Sequence, residues 1–298
     1  MRILVAIVHH WNPEGGGRHQ SLRPNCAPRV EALQQLILAF SRIGQNQFHM
    51  HFGDQAAYPA NSSLNHKIDL HLITDGVHHL LEHLQPAFRE RVEHVATSPS
   101  HPLMLGFEAQ DHLASRLQDN YDLYAYFEDD LIVNDSLFFY KIKYFADHIG
   151  NNSIVLPQRF ERMSIPAKIG KLYIDGSLPE EELQRGYAKI GIYPAASLEI
   201  NDYFFGSLSF EAPRNPHAGC FVLTHGQLTH WVAQPWWLDR ECSFVSPLES
   251  AATLGLLKTF CLYKPSFSIA GWLEVQHWGT SFLGLMAPGK CNSKNLNE

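Results

Sequence analysis

The sequence contains few cysteines, no excess of basic residues and no long apolar segment. Its five cysteines are widely spaced without a Cys-x-x-Cys pair, which argues against a structural zinc site or a disulfide framework. The formal net charge of the 298-residue chain is −7 with histidine neutral, and no basic stripe is available to neutralise nucleic-acid phosphates. No segment reaches the ~18 to 20 apolar residues that span a bilayer. These absences predict a globular cytoplasmic protein with reduced thiols, no membrane span and no nucleic-acid partner.

Two common functional motifs are also missing. The glycines of Gly15-Gly16-Gly17 are not followed by the Gly-Lys-Ser/Thr of a Walker loop. The 18 histidines include no His-Glu-x-x-His, the pair of zinc ligands found in many metalloproteases. The sequence therefore indicates neither a P-loop nucleotide hydrolase nor a zinc protease of that type.

Apolar segments of strand length alternate with amphipathic segments of helix length in the first half of the chain. The first apolar run is short and meets His9 and His10 without a small-residue cleavage site, so we interpret it as a strand rather than a signal peptide. The patterns predict strands at 3–8, 68–74, 92–96, 123–127, 153–157 and 219–224, and helices at 29–43, 77–84, 108–118, 136–149 and 248–260. This alternation predicts an α/β fold with a Rossmann-type, mainly parallel sheet flanked by helices.

The second half has shorter apolar runs and more turn signals, which predict antiparallel strands and loops between 159 and 210. We therefore expect residues 1–135 to form a nucleotide-sugar-binding half. Residues 136–289 would form a mixed acceptor-binding and catalytic half of the same domain, and 290–298 a tail.

Glu128, Asp129 and Asp130 form the most informative local pattern in the chain. They follow a predicted buried strand and precede an apolar run at 131–133, so we expect them at a partly buried strand end. Three adjacent carboxylates repel one another and are costly to bury without a cation. Hard divalent ions such as Mn²⁺ or Mg²⁺ take oxygen ligands, and ligands of α/β proteins bind at the carboxyl ends of strands. The pattern predicts a divalent-metal site, and a solvated turn after a core strand is the alternative.

At these residues the chain resembles a known family. Phe127-Glu128-Asp129-Asp130-Leu131, followed by Asp135 and by Phe138-Phe139-Tyr140, is similar to the metal-binding segment of GT-A-fold glycosyltransferases. The Glu-Asp-Asp form with a following Phe-Phe resembles that of N-acetylglucosaminyltransferase I. The resemblance is confined to this segment. It implies a GT-A-like fold and metal-dependent transfer of a sugar from a nucleotide-diphosphate donor to a saccharide or other hydroxyl acceptor.

The resemblance also implies roles for individual residues. Asp130, the last acid, would contact Mn²⁺ or Mg²⁺, and Glu128 and Asp129 would hold the nucleotide ribose or a metal-bound water. Many metal-dependent members of the superfamily return a C-terminal histidine to the same ion. His277, in an apolar stretch near the C-terminus, is the candidate here, and a core histidine is its alternative interpretation.

Residues at the other strand ends are candidates for contacts with the nucleotide. His9 ends the first strand, where ring or backbone donors would meet a base. Arg18 follows the glycine run and would reach a diphosphate, because flexible glycine backbone allows close approach to a ligand. Asp75 ends the second strand and would accept a hydrogen bond from a base or ribose. The alternative for Arg18 is a position in a surface loop, and the alternative for Asp75 is a simple turn before Gly76.

An inverting transferase needs a general base near the acceptor hydroxyl. Glu249 lies in the first turn of the predicted 248–260 helix, a position that the helix dipole favours for an anion. It is therefore our candidate base, although the same dipole would also explain a purely structural carboxylate. A retaining enzyme would need no such base, and the sequence leaves the stereochemistry open.

Two other functions use the same features. A nucleotidyltransferase acting on a sugar phosphate would also place carboxylates and a metal at a strand end, but it commonly carries a more basic glycine-rich loop than the one present here. A non-catalytic sugar- or nucleotide-binding protein would keep the fold without the chemistry. Release of a nucleoside diphosphate would indicate the glycosyltransferase, and release of pyrophosphate the nucleotidyltransferase. Binding without either product would indicate the non-catalytic protein.

Overall fold

The computed structural model describes residues 1–16, 20–162, 170–192, 194–204 and 206–285. Arg18 and the predicted tail at 290–298 lie outside these ranges. In the described part of the chain, Cys26, Cys220, Cys242 and Cys261 form no disulfide bond. Within the same part, the helices are all too short or too polar to cross a membrane.

The strands are β1 (Arg2–Val8), β2 (Phe48–His51), β3 (Ala56–Pro59), β4 (Lys67–Thr74), β5 (Glu93–Ala96), β6 (Leu123–Glu128), β7 (Leu131–Ile132), β8 (Ser153–Val155), β9 (Gln158–Arg162), β10 (Lys171–Tyr173), β11 (Ser197–Asp202), β12 (Gly206–Glu211), β13 (Cys220–Thr224), β14 (Cys261–Pro265) and β15 (Glu274–His277). The α-helices are α1 (Ala27–Gly44), α2 (Pro86–Arg89), α3 (Leu105–Ser115), α4 (Phe138–Ile149), α5 (Glu180–Tyr187), α6 (His225–Val232), α7 (Pro247–Ala251) and α8 (Leu254–Thr259). Short 3-10 helices span Gln20–Leu22, Leu81–His83, Pro102–Met104, Leu117–Asp119, Phe267–Trp272 and Leu283–Leu285.

The central sheet has five strands in the order β13-β6-β1-β4-β5. Strands β6, β1, β4 and β5 are parallel, and β13 pairs antiparallel with β6 at one edge. Residues 3–8 of β1 and 123–127 of β6 are buried almost without interruption, as parallel strands covered on both faces are. The predicted α/β class with a mainly parallel sheet is confirmed.

The register of the central sheet brings three strand ends to one edge. Val8, at the end of β1, aligns with Ile73 of β4 on one side and with Glu128 of β6 on the other. The segments that follow these strands, which contain His9, Asp75 and Asp129, therefore start at the same edge. This is the edge at which parallel α/β sheets bind ligands.

Three smaller sheets complete the described part of the fold: two with strand orders β10-β9-β15-β7 and β11-β12-β14-β8, and the two-stranded β2-β3 sheet. In the first of them, β15 pairs antiparallel with β7, so that His277 lies opposite Leu131. The predicted antiparallel strands between 159 and 210 are present as the β9–β10 and β11–β12 pairs. Strand β13 joins the central sheet although it lies far along the chain in the second half.

Two predicted helices differ from the structure. The 248–260 helix is interrupted at Thr253, whose φ of −135° is not helical, and it is divided into α7 and α8. In place of a helix at 77–84 only the short 3-10 helix at Leu81–His83 is present. There the N–H of Leu80 donates to Nε2 of His9 at 3.0 Å instead of to a carbonyl of the preceding turn. The hydrogen bond from Leu80 to His9 thus replaces the local backbone hydrogen bond that a helix would make.

Candidate active site

The three acids border a cavity of about 560 Å³ at the carboxyl edge of the central sheet. The polar lining residues include the acids, Arg29, His10 and Glu249, and the apolar lining residues include Pro102, Leu103, Leu105 and Leu248. A cavity of this size with convergent polar groups has the dimensions of a small-molecule site. The three acids differ in their surroundings, and each is described in turn.

Asp129 is held inside the protein by two partners. Its Oδ2 lies 2.5 Å from Nδ1 of His9, and its Oδ1 accepts a hydrogen bond from Arg29. Burial acts to raise the pKa of Asp129, but the charge of Arg29 and the hydrogen bond from His9 outweigh it and hold the pKa well below its usual range. Asp129 is therefore a buried, ionised anchor.

His9 is fully buried and uses both ring nitrogens. Its Nε2 accepts the N–H of Leu80, so its proton is on Nδ1 and is donated to Asp129. The sequence predicted a contact between His9 and a nucleotide base. In the structure the ring is fully buried, is not among the residues that line the cavity, and orients Asp129.

Arg29 joins two of the acids from the first turn of α1. One guanidinium nitrogen donates to Asp129 and the other to Oδ2 of Asp130 at 2.9 Å. Arg29 is 5% exposed, and burial, which lowers its pKa, is outweighed by the two carboxylates, which raise it. Arg29 was not predicted as a site residue from the sequence. A cation in the first turn of a helix opposes the helix dipole, and that was the available signal.

Asp130 has one paired and one unpaired oxygen. Its Oδ2 accepts from Arg29, whereas its Oδ1 is buried and has no hydrogen-bond partner among the described residues. Nε2 of His277 lies 3.9 Å from Oδ2 of Asp130, and the backbone carbonyl of Asp130 accepts the N–H of Trp278 at 2.8 Å. The structure thus brings together the two residues that the resemblance assigned to one metal ion.

The ring of His277 is oriented by Glu161 of β9. Oε1 of Glu161 lies 3.1 Å from Nδ1 of His277, and its carboxylate also accepts the backbone N–H groups of Phe282 and Leu283. Burial acts to raise the pKa of Glu161, but these hydrogen bonds outweigh it and lower the pKa. An ionised Glu161 can only accept, so His277 carries a proton on Nδ1; in the neutral imidazole this leaves the lone pair on Nε2, the nitrogen 3.9 Å from Asp130.

Glu128 ends β6 in a tightly packed position. Burial, and then the charge of Asp130, raise its pKa to about 8. Its Oε1 is buried without a hydrogen-bond partner in the described chain and lies 3.7 Å from Nε2 of His217. A Cβ on Gly219 would lie 2.7 Å from Oε2 of Glu128, and Gly219 has a φ of +62°. Glycine is therefore required beside this carboxylate.

A buried ionic network lies close to Glu128. Asp175 accepts hydrogen bonds from Nε of Arg159 at 2.8 Å and from Nζ of Lys264 at 2.7 Å, and Lys264 also donates to the carbonyl of His217. Two cations thus share one carboxylate, and the positive charge of Arg159 opposes the rise in the pKa of Glu128. This network was not predicted from the sequence, although a lysine within the otherwise apolar strand β14 was a signal.

Glu249 lines the same cavity from α7, on a segment remote in sequence from the acids. Its Oε2 accepts a hydrogen bond from the hydroxyl of Ser246, the residue before the helix. Although α7 is shorter than predicted, Glu249 keeps its place in the first turn. The structure therefore groups Glu249 with the acid triplet around one cavity.

Asp75 follows β4 and is engaged by its own loop. Its Oδ1 accepts the N–H groups of Val77 and His78, and its Oδ2 lies 2.8 Å from Nδ1 of His78. Burial acts to raise the pKa of Asp75, but these hydrogen bonds lower it to about 2. Its Oδ2 also lies 3.5 Å from Nδ1 of His10, which lines the cavity. The sequence analysis did not group Asp75 with these two histidines.

Comparison with known proteins adds no family assignment. No protein-family model matches the chain, and no curated protein matches it either. The function must therefore be argued from the site itself.

Proposed function

We propose that this protein is a GT-A-like, metal-dependent glycosyltransferase that moves a sugar from a nucleotide-diphosphate donor to an acceptor hydroxyl. The arrangement of Asp130, His277 and Glu161 is the observation that carries the proposal. A carboxylate and a histidine lone pair face each other at the ligand-binding edge of the sheet, and a second carboxylate fixes the histidine tautomer. Metal-ligating histidines commonly have such a carboxylate partner.

The residues present fit a divalent ion. Asp130 contributes Oδ1, which is buried and unpaired among the described residues, and His277 contributes Nε2, which lies 3.9 Å from the other oxygen, Oδ2, the acceptor of Arg29. Mn²⁺ accepts both donor types, and Mg²⁺ favours the carboxylate and substrate oxygens. When bound, the ion would neutralise charge that develops on the leaving diphosphate.

Arg29 adds a second positive charge on the same wall of the cavity. Its guanidinium is fixed by Asp129 and Asp130, so it needs little reorganisation when a ligand binds. A fixed cation stabilises phosphate charge in a cavity with restricted water more strongly than in bulk solvent. Together with the divalent ion, Arg29 would offset the charges of Asp129 and Asp130, so that a diphosphate could bind at this wall.

In an inverting reaction, Glu249 would accept the proton of the acceptor hydroxyl as that oxygen attacks the anomeric carbon. The support is its position on the cavity wall with the acid triplet. The hydrogen bond from Ser246 orients one carboxylate oxygen and leaves the other to receive the proton. Glu249→Gln should lower turnover far more than donor affinity, and unchanged turnover would remove it as the base.

The test is a thermal-shift series with UDP, GDP, CDP, ADP, ATP and CTP, each with Mn²⁺ and with EDTA. We expect one nucleoside diphosphate to stabilise the protein in Mn²⁺ and to lose this effect in EDTA. The effect should also be lost in Asp130→Asn and kept in Asp147→Asn, a matched control at an exposed acid paired with Lys143.

Product analysis decides the reaction. Release of a nucleoside diphosphate from a sugar nucleotide supports the transferase. Release of pyrophosphate from a nucleoside triphosphate would replace it with a nucleotidyltransferase, and binding without either product would indicate a non-catalytic protein.

A further inference from the structure

Three side chains from two adjacent strand ends lie together beside the cavity. His10 follows β1, and Asp75 and His78 follow β4. Oδ2 of Asp75 lies 2.8 Å from Nδ1 of His78 and 3.5 Å from Nδ1 of His10. One ligand atom from each residue falls within 4.8 Å of the others. The cluster contains two imidazoles and one carboxylate, a donor set suited to transition metals.

The loop after β4 fixes the carboxylate of this cluster. Oδ1 of Asp75 accepts the N–H groups of Val77 and His78 at 2.9 and 2.7 Å, which leaves Oδ2 facing the two histidines. Gly76 allows this tight loop with a φ of +79°. A carboxylate held by hydrogen bonds at one oxygen presents the other in a defined direction, as ligating carboxylates do.

His10 supplies an independent indication of a missing partner. Its Nδ1 is buried and makes no hydrogen bond within the described ranges. A buried polar nitrogen without a partner is costly, because it has lost its bond to water and gained none from the protein. A cation between His10 and Asp75 would satisfy this nitrogen.

We propose that His10, Asp75 and His78 form a binding site for a divalent transition-metal ion such as Zn²⁺ or Co²⁺, separate from the site at Asp130. Ligands at 2.0–2.1 Å from a tetrahedral ion lie about 3.3 Å apart, as the bond lengths and the tetrahedral angle require. The separation of 3.5 Å between His10 and Asp75 is close to this value, and the 2.8 Å contact with His78 has to widen only slightly.

Three protein ligands leave one position of a tetrahedral ion open. Because His10 lines the cavity, this position would be filled by water or by an anionic oxygen of a molecule in the cavity. The ion would then make a second positive contact for such a molecule. This proposal does not depend on the glycosyltransferase function.

Cobalt is the probe that tests the site, because its visible absorption reports low coordination number and nitrogen ligands. We expect the full-length, metal-free protein to bind Co²⁺ with such absorption. The absorption should be lost in Asp75→Asn, which keeps an oxygen for the loop N–H groups, and in His78→Ala, which changes a partly exposed ring. It should be kept in Asp130→Asn, which removes the other candidate site, and in His230→Ala, a control at an exposed histidine.

Two results of the cobalt titration would overturn the proposal. The wild-type protein gives no visible cobalt bands, or the bands persist unchanged in Asp75→Asn and His78→Ala, so that cobalt is bound by other histidines. Circular dichroism checks that each variant is folded. Anomalous scattering from cobalt-treated crystals of the wild-type protein locates the ion without any variant, and a map with no peak between these three residues would equally reject the site.

Discussion

Replacing Arg29 tests whether the acid triplet depends on a protein cation when metal is absent. Arg29 donates to both Asp129 and Asp130, and the three side chains are almost entirely buried. Arg29→Met keeps the volume but leaves two buried carboxylates without this counter-charge. Breaking a buried ion pair costs about 3 to 5 kcal/mol. We expect the free energy of unfolding in EDTA to fall by about that amount.

The assay is urea unfolding followed by circular dichroism, with the slope of the transition as a check that the same surface is exposed. Arg89→Met is the matched control, because Arg89 pairs with Glu82 at 2.8 Å while both side chains are more than half exposed. Exposed pairs contribute about 0 to 1 kcal/mol. Equal losses in the two variants would refute the argument that Arg29 neutralises the triplet.

A second measurement separates lost packing from lost charge. If Arg29 acts as a counter-ion, an added divalent ion should compensate for its removal at Asp130. Mn²⁺ should therefore raise the melting temperature of Arg29→Met more than that of the wild-type protein. An equal or smaller rise would mean that the charge of Arg29 and the ion do not act on the same carboxylate.

Three further predictions follow from the same site. Glu161→Gln should weaken Mn²⁺ binding about 10- to 100-fold in calorimetric titrations, since it removes the carboxylate that orients His277, and unchanged affinity would contradict this role. Gly219→Ala should lower the free energy of unfolding by about 1 to 3 kcal/mol, since its Cβ would meet the carboxylate of Glu128 at 2.7 Å, whereas Gly176→Ala, with nothing within 4 Å, should have little effect. Because the pKa of Glu128 is raised from 4.5 to about 8, its contribution to stability in EDTA is present below pH 4.5 and is lost as the pH rises through about 8. The difference in unfolding free energy between the wild-type protein and Glu128→Gln, measured by urea unfolding, should follow that course. A difference independent of pH would contradict this prediction.

The sequence was sufficient to predict the central sheet because its strands are strongly apolar. Continuous burial of β1 and β6 leaves a clear pattern, and the abrupt change to acids marks the strand end. The helix at 248–260 was less predictable, because its interruption at Thr253 depends on tertiary packing. Thr253 is fully buried and its hydroxyl lies 3.3 Å from the ring of His217, a contact that no local pattern reveals.

Pairings between distant segments could not be predicted from a single sequence. Arg29 and Asp130 are about a hundred residues apart, and an arginine in an amphipathic helix usually reaches solvent. The cluster of His10, Asp75 and His78 required the register of two parallel strands, which the sequence indicated only in outline. Their shared position after adjacent strands was a usable signal, whereas the His-Glu-x-x-His motif detects only histidines that are close together in the sequence.

The three adjacent acids, Glu128, Asp129 and Asp130, look equivalent in the sequence but have different surroundings in the structure. Asp129, bound by His9 and Arg29, has no free oxygen and serves to hold the strand end in place. Glu128 and Asp130 each keep one buried oxygen without a partner in the described chain. An unpaired buried carboxylate oxygen is unfavourable unless a proton or a cation satisfies it. The raised pKa of Glu128 indicates that a proton can do so there. At Asp130, the partner that we propose is a divalent ion held together with His277, so a proton and a cation would satisfy unpaired oxygens two residues apart.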